Sequence, residues 1–158
     1  MTITQPQITA LREVQATIGA GNAAKGFHEE GDALRKARYG TPGFDHEYDE
    51  GDVRALRNYY SEKLLLIVSE VTEAHDEIRS GREVEETYYP TAIHDEDDPT
   101  VVDTRFGPYK PEGVPSELAD VVIRCFDFAD EAGIDLAAMI AEKTLFNATR
   151  PFRHGKKF

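Results

Sequence analysis

Acidic side chains at helical spacing are the feature of this sequence best suited to chemistry. Glu70, Glu73 and Glu77 are separated by three and four residues, and Glu117 precedes Asp120 by three. Residues three or four apart share one face of an α-helix, so each group would present its carboxylates side by side. If the two helices pack antiparallel through their apolar stripes, all of these acids line one shared edge.

Carboxylates gathered in this way need a cation or protons. Two carboxylates about 4 Å apart repel by around 4 kcal/mol at an effective dielectric of about 20. Hard oxygen ligands without His or Cys suit Mg²⁺, with Mn²⁺ as the alternative, and suit Zn²⁺ poorly. The spacing therefore favours a magnesium site, although ordinary solvated acids on a helix surface would give the same spacing.

A di-iron site of the ferritin type also gathers carboxylates from several helices, but it requires Glu-x-x-His pairs. Neither Glu70 nor Glu73 has a histidine three residues later, and His75 follows Glu73 by two. The sequence therefore disfavours a di-iron site, and we expect His75 to lie at the surface or behind the ligands.

A second polar group lies near the end of the chain. Lys143, Asn147 and Arg150 follow one another at spacings of four and three, with Arg153 and His154 just beyond. Lysine and arginine pair with phosphate oxygens, arginine with the better fork geometry. The alternative is a basic helix terminus that complements the helix dipole. Together with the carboxylates, this group favours metal-assisted chemistry on a nucleotide polyphosphate.

Other catalytic and binding patterns are missing from the sequence. It has neither GxxxxGK[ST] nor GxGxxG, so P-loop and Rossmann nucleotide binding are excluded. Ser69 and Ser116 lack the flanking residues of a nucleophile elbow. Cys125 is the only cysteine, which excludes an intramolecular disulfide and a cysteine-based zinc site, and its place in an apolar stripe favours a core role.

Charge and hydropathy limit the partners and the location. The chain has 30 acidic residues against 18 Lys and Arg, a formal charge of −12, which repels phosphate backbones and argues against nucleic-acid binding. Its longest apolar run, Leu136–Ala141, is far shorter than the roughly 20 residues of a membrane span. The N-terminal segment lacks the pattern of a secretory signal. We therefore expect a cytoplasmic protein without membrane contact.

The hydrophobic pattern predicts four helices and an all-α helical bundle. We place these helices over residues 8–26, 53–80, 115–132 and 135–148, with a loop over residues 39–51. Asp52, Ser116 and Asp135 are the expected N-caps, and Gly81 is the expected C-cap of the second helix. The second helix carries an apolar stripe expected to pack against other helices, made of Leu64, Ile67, Val71, Ala74 and Ile78.

Residues 81–115 hold five of the eight prolines and an acidic run, so we expect a long irregular insertion between the second and third helices. A short strand pair is predicted near residues 87–89 and 101–103. Within it, Tyr88, Tyr89 and Pro90 could stack a base, although aromatic residues beside a proline more often anchor a loop.

The carboxylates and their surroundings resemble a known family. Glu70-Val-Thr-Glu73 followed by Glu117-Leu-Ala-Asp120 is similar to the ExxE and ExxD pair of the MazG-like all-α nucleoside triphosphate pyrophosphohydrolases. Further similar segments are residues 22–27, 63–70, 110–117 and 142–155, and the resemblance extends over roughly residues 16–157, nearly the whole chain.

The resemblance implies a single MazG-like domain over residues 1–158, with residues 81–115 as an inserted loop and residues 151–158 as a basic tail. It implies a homodimer or homotetramer that hydrolyses nucleoside or deoxynucleoside triphosphates to monophosphate and pyrophosphate, for control of the nucleotide pool. Residues 81–115 are longer than the connection in the smallest members, so they are expected to form a lid or part of an oligomer interface.

The resemblance also implies roles for individual residues. Mg²⁺, or alternatively Mn²⁺, would be held by Glu70, Glu73, Glu117 and Asp120. We further expect Glu70 or Glu73 to act in catalysis as general base. Substrate contacts would come from two groups of residues, the first more firmly implied than the second: Lys143, Asn147 and Arg150, and Asn22, Lys25 and Phe27.

Two other functions remain open from the sequence. The chain could be a non-catalytic helical interaction protein that keeps the fold and binds a basic partner through its acidic insertion. It could also hydrolyse another metabolite that contains pyrophosphate, such as phosphoribosyl-ATP. The long insertion and the complete series Lys143, Asn147 and Arg150 favour an ordinary nucleotide substrate.

Overall fold

A computed structural model of the chain describes residues 2–40, 50–90 and 108–151. Within these ranges the protein is 73% helical and has no strand, which confirms the all-α class. The five helices are α1 (Gln5–Ala23), α2 (Glu29–Tyr39), α3 (Glu50–Arg79), α4 (Val114–Glu131) and α5 (Leu136–Ala148). Among the helices described, none is both long enough and apolar enough to cross a membrane.

The chain divides into two compact units. The first comprises residues 1–61 and 125–158, and the second comprises residues 62–124. Helices α3 and α4 each contribute residues to both units.

The first unit has a small apolar core supplied by three helices. Its buried apolar side chains come from α3, α4 and α5, namely Leu56, Tyr59, Phe126, Ala129 and Ala137. The Tyr60 ring meets the Phe128 ring edge to face, with centroids 5.6 Å apart. Because such edge-to-face contacts add to simple area burial, they help to fix α3 against α4.

An ion pair at the start of α5 connects it to α1. The Nη2 atom of Arg12 lies 2.5 Å from Oδ2 of Asp135, and Oδ1 of Asp135 accepts the backbone N–H of Ala138 at 3.0 Å. Asp135 therefore caps α5, as predicted. The hydrogen bond from Arg12 and the backbone bond from Ala138 hold the pKa of this carboxyl below its usual range.

Beside the apolar core lies a buried polar network, defined here as His28, Asp127, Glu131, Tyr59 and Arg35. Nε2 of His28 lies 2.7 Å from Oδ1 of Asp127, and the hydroxyl of Tyr59 donates to Oε1 of Glu131 at 2.6 Å. Burial, together with this bond to Glu131, raises the pKa of Tyr59. The network joins α3 and α4 to α2, whose N-cap is His28.

Helix α2 is absent from the sequence-based prediction because it has no apolar stripe. Its buried residue is Gly31, and it packs by close backbone approach: an added Cβ there would lie 1.9 Å from Oε1 of Glu131 and 2.8 Å from the Tyr59 ring. The charged residues of α2 nevertheless indicate a helix. Acids occupy its first turn and Lys36 and Arg38 its last, the arrangement that complements a helix dipole.

Two predicted helix caps are wrong. Helix α3 begins at Glu50, so Asp52 lies in its first turn and does not cap it. Helix α4 begins at Val114, so Ser116 is inside the helix, where its hydroxyl donates to the carbonyl of Pro111 at 2.9 Å. The predicted stop at Gly81 is confirmed, with φ of 88°.

Helix α1 differs from its prediction at both ends. It begins at Gln5, where the Thr4 backbone N–H donates to Oε1 of Gln7, and it ends at Ala23. The helix continues through Gly19. That residue is buried because the Asp130 side chain of α4 lies where a Cβ would stand, with Oδ2 only 1.9 Å away.

In the second unit, two residues near the ends of the predicted insertion pair with each other. Tyr88 and Glu112 form an isolated antiparallel bridge, with N–O distances of 3.1 and 2.9 Å. The Tyr88 hydroxyl donates to Oε1 of Glu77 at 3.1 Å, and the Arg82 guanidinium lies 3.8 Å from its ring centroid. Tyr88 therefore anchors this segment. The predicted strand at residues 101–103 lies outside the described residues.

The close approach at Gly31 yields a prediction with an internal control. Replacing Gly31 with Ala forces the Glu131 carboxylate or the Tyr59 ring to move, so we expect a loss of about 1–3 kcal/mol in the free energy of unfolding. Gly21→Ala in α1 meets nothing within 4 Å and should gain about 0.5–1 kcal/mol. Urea unfolding of both variants checks this, and equal effects would contradict the packing described for α2.

Candidate metal centre

Three carboxylates of the second unit converge into one group, called here the carboxylate cluster: Glu70, Glu117 and Asp120. One oxygen from each lies within 4.8 Å of the others. Glu70 and Glu117 are only 5% and 4% exposed, and Asp120 is half-buried. Ionised carboxylates are seldom buried without compensation, so the burial of two of them in one group marks this as an unusual place on an acidic chain.

The start of α4 sets the position of Glu117. Gly113 has φ of 103°, and its carbonyl accepts the N–H groups of Ser116 and Glu117. A Cβ at Gly113 would stand 2.4 Å from the carbonyl oxygen of Glu86, so only glycine fits this approach. Because α4 begins at Val114, Glu117 lies in its first turn and Asp120 lies one turn later. Both residues are then close to Glu70 of α3.

The electrostatics of the carboxylate cluster favour a cation. Burial, followed by the negative charges of Glu73, Asp120 and Glu112, raises the pKa of Glu117, and the positive charge of Lys110 opposes these effects. A carboxyl group in this condition gains from any cation that replaces its proton.

Two cationic side chains already border the carboxylate cluster. Nε of Arg124 donates to Oε1 of Glu70 at 2.5 Å. Nζ of Lys110 lies 2.8 Å from Oε1 of Glu112, and the charges of Glu112, Glu117 and Asp120 all raise the pKa of Lys110. Arg124 was not among the residues predicted from the sequence, although it follows Asp120 by four positions and so lies on the same helix face.

The remaining predicted acids lie nearby but outside the carboxylate cluster. Glu73 is exposed, and its charge contributes to the raised pKa of Glu117. Glu77, which shares the spacing of Glu70 and Glu73, accepts the Tyr88 hydroxyl and faces Arg82 at 4.0 Å. His75 is exposed. Glu77 is therefore used to hold the insertion.

The donor set suits a hard divalent cation. The carboxylate cluster offers only oxygen atoms, and octahedral Mg²⁺ takes oxygen ligands at about 2.0–2.1 Å, which places them about 3–4 Å from one another. The three carboxylate oxygens lie within 4.8 Å of one another, so they need to move only slightly closer together to reach this geometry. The residues thus fit Mg²⁺ or Mn²⁺ and leave room for the waters or phosphate oxygens that these ions retain.

A second group of possible ligands, His28, Asp127 and Glu131, lies in the first unit and is fully buried. Here each acid already has a protein partner. His28 and Asp127 lie 2.7 Å apart, Tyr59 donates to Oε1 of Glu131, and Nη1 of Arg35 lies 3.6 Å from the same oxygen. Because an arginine, a tyrosine and a histidine serve the two acids, we interpret this group as a structural network.

The predicted phosphate-binding residues lie at the end of α5 in the first unit. Lys143 and Asn147 are exposed on the helix, and Arg150 is exposed just beyond its last residue. Nζ of Lys143 lies 5.7 Å from the Phe146 ring centroid, and the Arg150 guanidinium lies 5.1 Å from it. One aromatic ring therefore holds both cations. Arg153 and His154 lie outside the described residues.

The other predicted substrate contacts lie in the turn between α1 and α2. The carbonyl of Asn22 accepts the backbone N–H groups of Lys25 and Phe27 at 3.0 and 3.2 Å, and Gly26 adopts φ of 85°. Asn22 is half-buried, Lys25 is exposed and Phe27 is 61% exposed. The tight turn thus presents a cation and an aromatic ring to solvent.

We find no match to this chain among protein-family models, curated proteins or solved structures.

The raised pKa of Glu117 predicts how stability depends on pH. A folded-state pKa above the unfolded value means that the folded chain binds the proton more tightly, so stability falls as pH rises through the raised pKa. Glu117→Gln removes this cost. We expect the variant to match the wild type at a pH well below the ordinary glutamate pKa of about 4.3, where the group is protonated in both states, and to exceed it in stability as pH rises toward 7.

Urea unfolding in EDTA at several pH values measures this difference. Glu85→Gln, at an exposed position of the same unit, serves as the control and should give a flat difference. A Glu117→Gln variant that is less stable than wild type at neutral pH would show that the carboxylate is compensated without a metal ion.

Proposed function

We propose that this chain is a metal-dependent nucleoside triphosphate pyrophosphohydrolase of the MazG-like type. It would hydrolyse a nucleoside or deoxynucleoside triphosphate to the monophosphate and pyrophosphate. The observation that carries the proposal is the convergence of Glu70, Glu117 and Asp120, two of them buried, from two separate motifs of the sequence. An interaction surface gives no reason to bury like charges together, whereas a metal site does.

The residues of the second unit suggest a division of roles. The carboxylate cluster would hold Mg²⁺ or Mn²⁺, and the ion would supply Lewis-acid polarisation of the phosphate oxygens. Glu73 is exposed beside the cluster, whereas Glu70 is buried and bonded to Arg124. We therefore assign to Glu73 the role of general base, which accepts the proton of the attacking water. Because it is exposed, Glu73 could also approach the ion as a fourth ligand.

Residues of the first unit would bind the substrate. Lys143 and Arg150, steadied on the Phe146 ring, offer an ammonium and a guanidinium to phosphate oxygens, and Asn147 between them offers an amide. Lys25 and Phe27 would contact the nucleotide from the α1–α2 turn.

We also propose that the chain forms a homodimer or homotetramer. The stripe predicted on α3 is buried only at Ala74 and half-buried at Ile67, while Leu64, Val71 and Ile78 are about half exposed. Further large apolar side chains in the second unit are exposed as well, namely Leu65, Leu66, Val68, Leu118, Val122 and Ile123. Exposed apolar side chains in such number are typical of an interaction surface, and a second copy of the same stripe is a matching partner.

Activity of carboxylate variants tests the enzymatic proposal. Glu73→Gln and Asp120→Asn should each lower the rate of pyrophosphate release with Mg²⁺ by on the order of 10²-fold or more, because a ligand or base is lost while the fold is kept. Asp76→Asn, an exposed acid on the same helix, should retain full activity. A screen of all common ribo- and deoxyribonucleoside triphosphates identifies the substrate. Full activity in both site variants, or no turnover of any triphosphate by wild type, contradicts the proposal.

Sedimentation velocity tests the oligomer. Leu65 is 65% exposed on α3, and Leu65→Lys should shift the sedimenting species toward the monomer because a charge would be buried at the interface. Val14→Lys, at a 46% exposed position of α1 in the first unit, should leave the species unchanged. A wild-type chain that sediments as a monomer at all concentrations rules the oligomer out.

A further inference from the structure

One cationic side chain of the protein, Arg124, pairs directly with a member of the carboxylate cluster. Nε of Arg124 lies 2.5 Å from Oε1 of Glu70, whose side chain is 6% exposed, whereas the Arg124 side chain is 41% exposed. A carboxylate buried to this degree without a partner would be strongly unfavourable, so the ion pair with the Arg124 guanidinium offsets the cost of burying Glu70.

The same guanidinium opposes a divalent cation. Glu70 contributes one of the three oxygens that lie within 4.8 Å of one another, so an ion bound among them would stand a few ångströms from Arg124. The Coulomb repulsion between a singly and a doubly charged cation at that distance is large even at the effective dielectric of a protein surface. Glu70 therefore cannot hold both partners at their full strength.

The surroundings of Arg124 allow its side chain to move away from Glu70. Arg124 is the last residue of the second unit, more than a third of its side chain is in solvent, and among the described residues its only ion-pair partner is Glu70. A long side chain in this situation can reach water by rotation about its side-chain bonds, whereas Glu70, nearly buried on α3, has little freedom.

We propose that Arg124 and a divalent cation exchange on Glu70: the guanidinium pairs with the carboxylate in the metal-free chain and releases it when the ion binds. The inference rests on the proposed function in taking Glu70 as a metal ligand. Arg124 is then a positioning residue that holds the Glu70 carboxylate in place, and it lowers the affinity of the carboxylate cluster for a divalent cation.

Titration of the full chain with MnCl₂ by isothermal calorimetry tests the exchange. Arg124→Gln removes the competing cation, so we expect the variant to bind Mn²⁺ roughly tenfold or more tightly than wild type. In EDTA the same variant should melt at a lower temperature, because Glu70 has lost its partner. Arg79→Gln is the matched control, since Arg79 is an exposed arginine of α3 whose Nη1 lies 3.5 Å from Asp76. It should leave the Mn²⁺ affinity unchanged.

A second measurement does not depend on how well the variant folds. The ¹⁵Nε–H resonance of Arg124 in wild type should move on saturation with Mg²⁺, and Glu70→Gln should abolish that response. A resonance that stays in place while Mg²⁺ saturates the protein overturns the exchange.

The outcomes separate the inference from the function on which it rests. Equal or weaker Mn²⁺ binding by Arg124→Gln, with normal binding by wild type, overturns the exchange alone and means that Arg124 orients Glu70 for the ion. No saturable Mn²⁺ binding by wild type, Arg124→Gln or Glu70→Gln, together with no triphosphate hydrolysis, overturns the proposed function and the exchange with it.

Discussion

The cost of placing ionised carboxylates out of water governs both units of this protein. In the first unit, Asp127 and Glu131 are buried, and each has a protein partner, His28 for one and Tyr59 with Arg35 nearby for the other. In the second unit, protein partners offset this cost only in part, as the raised pKa of Glu117 indicates. Buried polar groups that are fully matched stiffen a fold, whereas an incompletely matched group is a place where a ligand can bind with gain.

This difference explains why two similar sets of possible metal ligands have different roles. The group in the first unit contains a histidine, a tyrosine and an arginine besides its acids, so each acid has a protein partner. Among the described residues, the carboxylate cluster has Arg124 and Lys110 beside it, against Glu70, Glu117 and Asp120 together with the neighbouring acids Glu73 and Glu112. The excess of negative charge appears in the raised pKa of Glu117, and it is the property that a divalent cation would remove.

Much of the fold could be predicted from the sequence, because α1, α3, α4 and α5 carry apolar residues at helical spacing. Helix α2 could not be found in this way, since it packs through Gly31 and polar side chains. The caps at Asp52 and Ser116 were wrong because a residue suited to capping is equally at home in the first turn, where its charge or hydroxyl is also satisfied.

The candidate site shows the same limit. The spacing of Glu70, Glu117 and Asp120 predicted that they would meet, and they do, although their role as metal ligands stays a prediction. The spacing gave equal weight to Glu77, which instead holds Tyr88, because a helix face does not reveal which of its residues a distant loop will use. Arg124 was missed for a related reason: an arginine on an acidic helix face looks like surface charge until its partner is known to be buried.

The bridge between Tyr88 and Glu112 ties together two residues near the ends of the inserted segment. The length of that segment therefore has little effect on the geometry of the carboxylate cluster. Once the two ends of a loop are tied, each doubling of its length costs only about 0.6 kcal/mol in closure entropy. The chain between these residues can therefore be shortened, extended or exchanged by evolution at little thermodynamic cost, while α4 still starts at the same residue. Under the proposed function, substrate preference could diversify there while the carboxylates of α4 keep their places.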